Sequence, residues 1–83
     1  MTTAFELLSK VKLDGRENQN DYILAYFDGA KNTNIEIPLS EVKFINQLAF
    51  MIRVRNEDVE IPMHRLRKIY KRGLLLWQSG KVE

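Results

Sequence analysis

The feature that most constrains the fold of this 83-residue chain is an eleven-residue stretch that occurs twice, 24 positions apart. Residues 35–45 read IEIPLSEVKFI and residues 59–69 read VEIPMHRLRKI, with four identical positions and four conservative ones. Because proline lacks a backbone donor and suits the start of a helical turn, each copy predicts a strand ending at Ile-Pro, a short helical turn and a new strand. The pattern therefore predicts a duplicated strand–Pro–turn–strand unit.

The remaining patterns indicate the fold class. Residues 3–12 carry apolar side chains at i, i+3, i+6 spacing and predict an N-terminal helix. Between residues 21 and 78, runs of branched and aromatic residues alternate with turn sequences, as in an antiparallel sheet. We expect one α+β domain over residues 1–83. Its helix would pack on a twisted antiparallel sheet of about five strands, which could also close in a barrel-like way.

Composition argues against several classes of protein. The chain has no cysteine, so it offers no disulfide, thiolate ligand or thiolate nucleophile. A single histidine, His64, cannot build a metal site alone, and the four glycines are scattered rather than gathered in a phosphate-binding loop. No apolar run in the chain, including residues 48–52, approaches the roughly 20 residues of a membrane-spanning helix. We expect a cytoplasmic protein with no metal, cofactor or membrane partner.

Charge is distributed unevenly along the chain. Residues 1–60 carry seven basic and ten acidic side chains, whereas residues 61–83 carry six basic side chains and one acidic. Five of those six basic residues lie within residues 65–72. A basic segment in a small domain favours an anionic partner such as a nucleic acid, although a solvated hairpin would also be basic.

The two copies of the repeat differ most at the exposed positions of the turn. The first copy has Ser40 and Glu41, and the second has His64 and Arg65. Packing explains the residues that the copies share, but it does not explain a change from an acidic turn to an imidazole beside a guanidinium. His64 could donate to a phosphate or act as a general acid or base, or it could be a turn histidine bonded to nearby backbone.

The basic segment supplies further candidate binding residues. Arginine binds phosphate with a planar fork and lysine as a point charge, so Arg65, Arg67, Lys68 and Lys71 are candidate phosphate ligands. Strand alternation should place Arg67 and Lys71 on one face and Lys68 and Arg72 on the other.

Aromatic side chains could stack on bases, but in so small a domain most of them must be core. Tyr26 and Tyr70, which have polar tips, are the aromatic residues that we expect at the surface. Trp77 and Phe27 are expected to serve packing.

Residues 61–69, followed by Gly73 and by Leu76-Trp77, resemble the signature of a small, mostly archaeal family of domains described as recognising cyclic-phosphate RNA ends. Residues 26–28 and 36–39 resemble the related stretch in its RNA-linked members. The chain departs from the family pattern at three positions: Met63 replaces an aromatic residue, Leu66 replaces isoleucine, and Gly29 stands where an arginine is common.

The resemblance implies a compact domain that binds RNA termini in repair or processing, with His64 and Arg65 as its polar pair. Our first hypothesis is a non-catalytic RNA-binding module. In it His64 and Arg65 hold a terminal phosphate that could be 2′,3′-cyclic, Arg67 and Lys68 or Lys71 hold neighbouring backbone, and an aromatic ring stacks on the last base. The alternatives are a phosphoesterase or nuclease with His64 as general acid or base, and a protein-interaction subunit with a basic hairpin.

Overall fold

A computed structural model describes residues 3–79 as one helix and seven strands joined by short turns. Two of the turns follow the prolines of the repeat and are called here the first turn (Leu39–Glu41) and the second turn (Met63–Arg65). The elements are α1 Ala4–Leu13, β1 Tyr22–Asp28, β2 Thr33–Pro38, β3 Val42–Ile45, β4 Ala49–Val54, β5 Glu57–Pro62, β6 Leu66–Lys71 and β7 Leu74–Gln78.

The repeat folds as two equivalent units that exchange their last strands. The first unit is the hairpin β1–β2, the first turn and β3, and the second is the hairpin β4–β5, the second turn and β6. Strand β3 pairs with β4 of the second unit, and β6 pairs with β1 of the first. Equivalent residues meet in both pairings, because Ile69 lies opposite Leu24 and Ile45 lies opposite Phe50. The duplicated unit is thus present in three dimensions.

The α+β class is confirmed, but the single sheet of about five strands is wrong. The strands form one sheet in the order β2-β1-β6-β7 and a second in the order β3-β4-β5, and neither closes into a barrel within residues 3–79. Exchange of the last strands explains the difference, since each of these strands leaves its own hairpin to pair with the other one. Sequence order alone suggested a single succession of hairpins.

Both exchanged strands carry a β-bulge at the same place in the repeat. Along β3, Val42 pairs with Ile52 and Phe44 with Met51, so Lys43 is left without a partner in the ladder. Along β6, Leu66 pairs with Tyr26 and Lys68 with Ala25, so Arg67 has no opposite residue in β1, although its carbonyl oxygen accepts from the Ser79 amide. A bulge changes the direction of the side chain at the extra residue. Arg67 and Lys43 therefore occupy equivalent positions of the repeat, and the bulge changes the direction of both side chains.

The core lies between the inner faces of the two sheets and the apolar stripe of α1. Leu8 of the helix, Leu24 and Ile69 of the four-stranded sheet, and Phe50 of the three-stranded sheet are fully buried in it. Tyr26 is only 6% exposed, and its ring meets that of Phe50 edge to face at 5.9 Å between centroids. The expectation that Tyr26 is a surface residue is therefore wrong, because its strand turns it inward.

Helix α1 is positioned by a cap at one end and by a lysine at the other. The Thr3 hydroxyl accepts a hydrogen bond from the Glu6 amide at 3.1 Å, which satisfies one of the free donors of the first turn. The Lys12 ammonium donates to the Val42 carbonyl oxygen and to Gln19 Oε1, and burial lowers the pKa of Lys12. Within the described part of the chain, no helix is long and apolar enough to span a membrane.

Candidate functional site

The second turn separates two surface cavities. A groove of about 540 Å³, called here the helix groove, lies between the start of α1, the second turn and the end of β7. A cleft of about 690 Å³, called here the intersheet cleft, opens between the hairpins β1–β2 and β4–β5. His64 lines the helix groove and Arg65 lines the intersheet cleft. Two consecutive residues of the second turn thus line different cavities.

The helix groove combines apolar walls with an exposed imidazole. Phe5 of α1, Met63 of the second turn and Trp77 of β7 contribute its apolar surface, and His64 stands exposed at its side. The first residues of α1 also line the groove, so the positive end of the helix dipole faces it. Glu6 adds one carboxylate. The groove can hold a flat apolar group beside an anion.

Arg65 does not share the groove of His64. Its Nη1 atom lies 3.9 Å from the position that a Cβ atom on Gly29 would take, and the Phe27 ring lies 3.8 Å from the same point. It is exposed and makes no ion pair with any residue from 3 to 79. The structure thus does not bring His64 and Arg65 together around one point, although both remain open to a ligand.

Arg67 connects the second turn to the four-stranded sheet. Its Nη1 donates to the His64 carbonyl oxygen at 2.7 Å, and its guanidinium carbon lies 5.6 Å from the centre of the Phe27 ring. Alternation along β1 places Phe27 on the face away from the core, where Lys68 also lies opposite Ala25. The expected separation of Arg67 from Lys68 is therefore wrong, because the bulge returns Arg67 to that face.

Tyr70 lies on the same outer face as Lys68, two positions further along β6. It pairs with Ile23, which alternates with the fully buried Leu24, so its side chain points away from the core. Tyr70 is half-buried, and Lys68 makes no ion pair within the described residues. The outer face therefore presents a phenol and two basic side chains, Arg67 and Lys68, near the second turn.

The last two basic residues of the segment are engaged with acidic neighbours. Lys71 Nζ lies 3.5 Å from Glu17 Oε2 and 5.4 Å from the centre of the Tyr22 ring. Hydrogen bonding to Tyr22 and the charge of Glu17 raise the pKa of Lys71. Arg72 Nη2 lies 3.1 Å from Asp21 Oδ2. Within residues 3–79, Arg65 and Lys68 are the basic residues of this segment that make no ion pair.

The bulge of β3 can be compared with the bulge of β6, because the two hold equivalent basic residues. Lys43, the equivalent of Arg67, and Arg53 both contact Asp58, at 3.4 and 3.5 Å. Strand β6 instead packs on the first hairpin, where Phe27, opposite Asn34, takes the place that Arg53, opposite Asp58, has in the second hairpin. Arg67 thus contacts the Phe27 ring, and Lys43 at the equivalent bulge contacts the Asp58 carboxylate.

We expect Arg67→Met to lower the free energy of unfolding by about 1–2.5 kcal/mol. The variant loses a hydrogen bond worth about 0.5–1.5 kcal/mol and a cation–π contact of about 0.5–1 kcal/mol. Lys43→Met at the equivalent bulge removes only an exposed ion pair and should change stability by less than about 1 kcal/mol. Urea unfolding followed by circular dichroism measures both, and equal effects would contradict a role of Arg67 in holding the second turn.

Comparison with known proteins assigns the chain to a family. The model of the MJ1316 RNA cyclic group end recognition domain matches residues 1–79. The chain belongs to this family. Its relatives include UPF0248 proteins of Pyrococcus horikoshii, 32% identical over 96% of this chain and 93% of the relative, and of Thermococcus sibiricus, 33% identical over 89% and 82%. A UPF0248 protein of Thermococcus onnurineus is 32% identical over 92% and 84%. No solved structure matches the chain.

Membership confirms the resemblance seen in the sequence. The specific part of the signature is His64-Arg65 with its flanking Ile-Pro and Trp77. His64 and Trp77 are thirteen positions apart in the chain yet line the helix groove, whereas Arg65 lines the intersheet cleft. The sequence predicted that Trp77 serves packing. Trp77 does pack against the core, and only the fold shows that it also borders a cavity. Residues 3–79 contain no cluster of His, Asp and Glu side chains suited to a metal ion.

Proposed function

We propose that this domain binds the phosphate-bearing end of an RNA strand, including a 2′,3′-cyclic phosphate, without changing it. The observation that carries the proposal is that His64 and Trp77 line the same groove. An imidazole can donate a hydrogen bond to a phosphate oxygen, and an aromatic wall can cover a base. The description of the family, which names recognition of RNA cyclic ends, supports the same function.

The terminal phosphate would lie next to His64 and the N-terminus of α1, on the side of the groove away from Glu6. Backbone amides and the helix dipole favour an anion at such a position. Arg65, Arg67 and Lys68 follow His64 in sequence and surround the second turn, so they would contact the phosphates that precede the end. Tyr70 on the outer face offers a stacking surface to the strand that leads there. Lys71, already paired with Glu17, would contribute less.

Affinity for RNA should fall with salt in proportion to the phosphates that the domain contacts. With three contacts, from Arg65, Arg67 and Lys68, the slope of log affinity against log salt should be about −2 for a single strand. Fluorescence anisotropy with a short labelled RNA at four salt concentrations measures the slope. An affinity independent of salt would rule out phosphate recognition.

The decisive test is a set of short RNAs that differ only at the end: hydroxyl, 2′-phosphate, 3′-phosphate and 2′,3′-cyclic phosphate. The wild-type domain should bind the phosphorylated ends more tightly than the hydroxyl end, by roughly 10-fold or more for one charge-assisted hydrogen bond. A DNA strand with a 3′-phosphate serves as the control for the ribose. Equal binding of all four RNA ends would refute end recognition and leave only general affinity for nucleic acid.

One observation favours a second candidate, hydrolysis of the cyclic phosphate. Glu6 and His64 line the same groove, and a carboxylate with an imidazole is a possible acid–base pair. Chromatography of the cyclic-ended RNA after long incubation distinguishes the two functions. Opening of the ring that is lost in His64→Ala would identify an esterase, whereas tight binding with intact RNA supports the non-catalytic module.

A further inference from the structure

The intersheet cleft is a second cavity whose floor the duplicated unit builds from equivalent residues. Ile35 and Ile37 of β2 face Val59 and Ile61 of β5 across it. These side chains are partly buried and pack against the core, so the floor is apolar and well supported. The volume of about 690 Å³ lies within the range of small-ligand sites, roughly 300–1,000 Å³.

Several of the polar groups of the cleft are concentrated on the wall next to the second turn. On this side stand Tyr26 and Asp28 of β1 and Arg65 of the second turn. At the equivalent places of the other half stand Ile52, Val54 and Glu41, which also line the cleft. Packing is therefore satisfied by aliphatic side chains at two of these three positions. Packing thus does not require the Tyr26 hydroxyl or the Asp28 carboxylate.

Tyr26 carries a hydroxyl that has no hydrogen-bond partner among the described residues. The residue is 94% buried, yet its hydroxyl makes no hydrogen bond with any residue from 3 to 79. The hydroxyl oxygen keeps some contact with solvent. It is not among the side-chain polar atoms of residues 3–79 that are both fully enclosed and without a hydrogen bond. Burial and the nearby charge of Asp28, another residue of the cleft, raise the pKa of Tyr26 and keep the phenol protonated. A buried donor with access to a cavity indicates a ligand acceptor.

We propose that the intersheet cleft holds the nucleoside next to the terminal nucleotide of the bound RNA, an assignment that rests on the function proposed above. The aliphatic floor would cover the face of the base, and the Tyr26 hydroxyl would donate to a base or ribose oxygen. Arg65, which has no ion pair within the described chain, would contact the phosphate that joins this nucleoside to the terminal one. The Asp28 carboxylate can accept from an amino group of the base.

The position of the second turn supports a nucleoside over other amphipathic ligands. His64 and Arg65 are consecutive residues that line the helix groove and the intersheet cleft, so a strand that crosses the turn meets both. Two nucleosides joined by one phosphate would fit the two cavities, with the phosphate at the basic second turn that lies between them. Four basic side chains and three carboxylates line the cleft, so it offers donors to a phosphate and acceptors to the amino groups of a base.

The test compares a nucleoside 2′,3′-cyclic phosphate with a dinucleotide that ends in the same group. Tyr26→Phe removes one hydroxyl and leaves the ring and its contact with Phe50, so the fold should persist, which the thermal unfolding midpoint checks. The variant should bind the dinucleotide about 3- to 10-fold more weakly, the range for one hydrogen bond, and the mononucleotide as tightly as wild type does. Arg65→Gln should act in the same direction, and Arg16→Gln, which removes an exposed arginine outside both cavities, is its control.

Each other outcome overturns the assignment in a recognisable way. If wild type binds both ligands and Tyr26→Phe and Arg65→Gln weaken neither, the cleft is not used and the RNA-end function still stands. If the variants weaken both ligands equally, the cleft holds the terminal nucleotide itself, and its assignment to the neighbouring one is wrong. If wild type binds neither ligand nor longer phosphate-ended RNA, both the cleft assignment and the proposed function fail.

Discussion

Replacing Phe50 by alanine should lower the free energy of unfolding by about 3–5 kcal/mol, the range for truncating a buried phenylalanine. Phe50 is fully buried between the sheets, lies opposite Ile45 and Ile61, and receives the Tyr26 ring edge to face. A domain of this length has a total stability of roughly 4–12 kcal/mol, so the variant should unfold at low urea or be partly unfolded without it.

Phe44→Ala is the matched control for Phe50→Ala. Phe44 lies on the neighbouring strand β3, but its side chain is 58% exposed, so its truncation should change stability by less than about 1 kcal/mol. Urea unfolding of the two variants followed by circular dichroism provides the comparison. A similar loss for both would contradict the placement of the core between the two sheets.

The second large effect concerns RNA. His64→Ala should weaken binding of a phosphate-ended RNA roughly 10- to 100-fold, because one hydrogen bond to a charged group contributes about 1.5–3 kcal/mol. His64 is exposed, and Arg67 contacts its backbone carbonyl and not its side chain, so the second turn should keep its shape. Affinity for the hydroxyl-ended strand should change little.

Ser40→Ala provides the control at the equivalent position of the first turn. Ser40 is exposed like His64 and occupies the same slot of the repeat, but it lies in neither cavity of the second turn. Anisotropy titrations of both variants with the four RNA ends should therefore separate them. If Ser40→Ala and His64→Ala bind phosphate-ended RNA equally well, His64 makes no contact with the terminal phosphate.

The duplicated unit explains how so small a domain can support a basic surface. The first half neutralises its bulge lysine with Asp58, whereas the second half leaves Arg65 and Lys68 without ion pairs inside the described chain. The two halves share a backbone design, which includes the proline, the short turn and the bulge. Stability can therefore come from the shared features while the second turn varies. The differences between equivalent positions mark the candidate site.

Much of the local structure could be predicted from the sequence, because it depends on neighbouring residues. The helix predicted at residues 3–12 lies at Ala4–Leu13, and both Ile-Pro pairs end strands and begin short turns. Apolar spacing specifies the helix, and the missing amide of proline specifies the strand ends. The difference between Ser40-Glu41 and His64-Arg65 was also visible, since it needs only the alignment of the repeat.

The pairing of strands and the direction of side chains were decided by the tertiary structure. Exchange of β3 and β6 between the hairpins made two sheets where one was expected, turned Tyr26 into the core and placed the bulge that returns Arg67 to the face of Lys68. It also put His64 and Arg65 in separate cavities and brought Trp77 to the groove of His64. These contacts join residues that are distant in sequence, and the local pattern of apolar residues does not specify which strands pair.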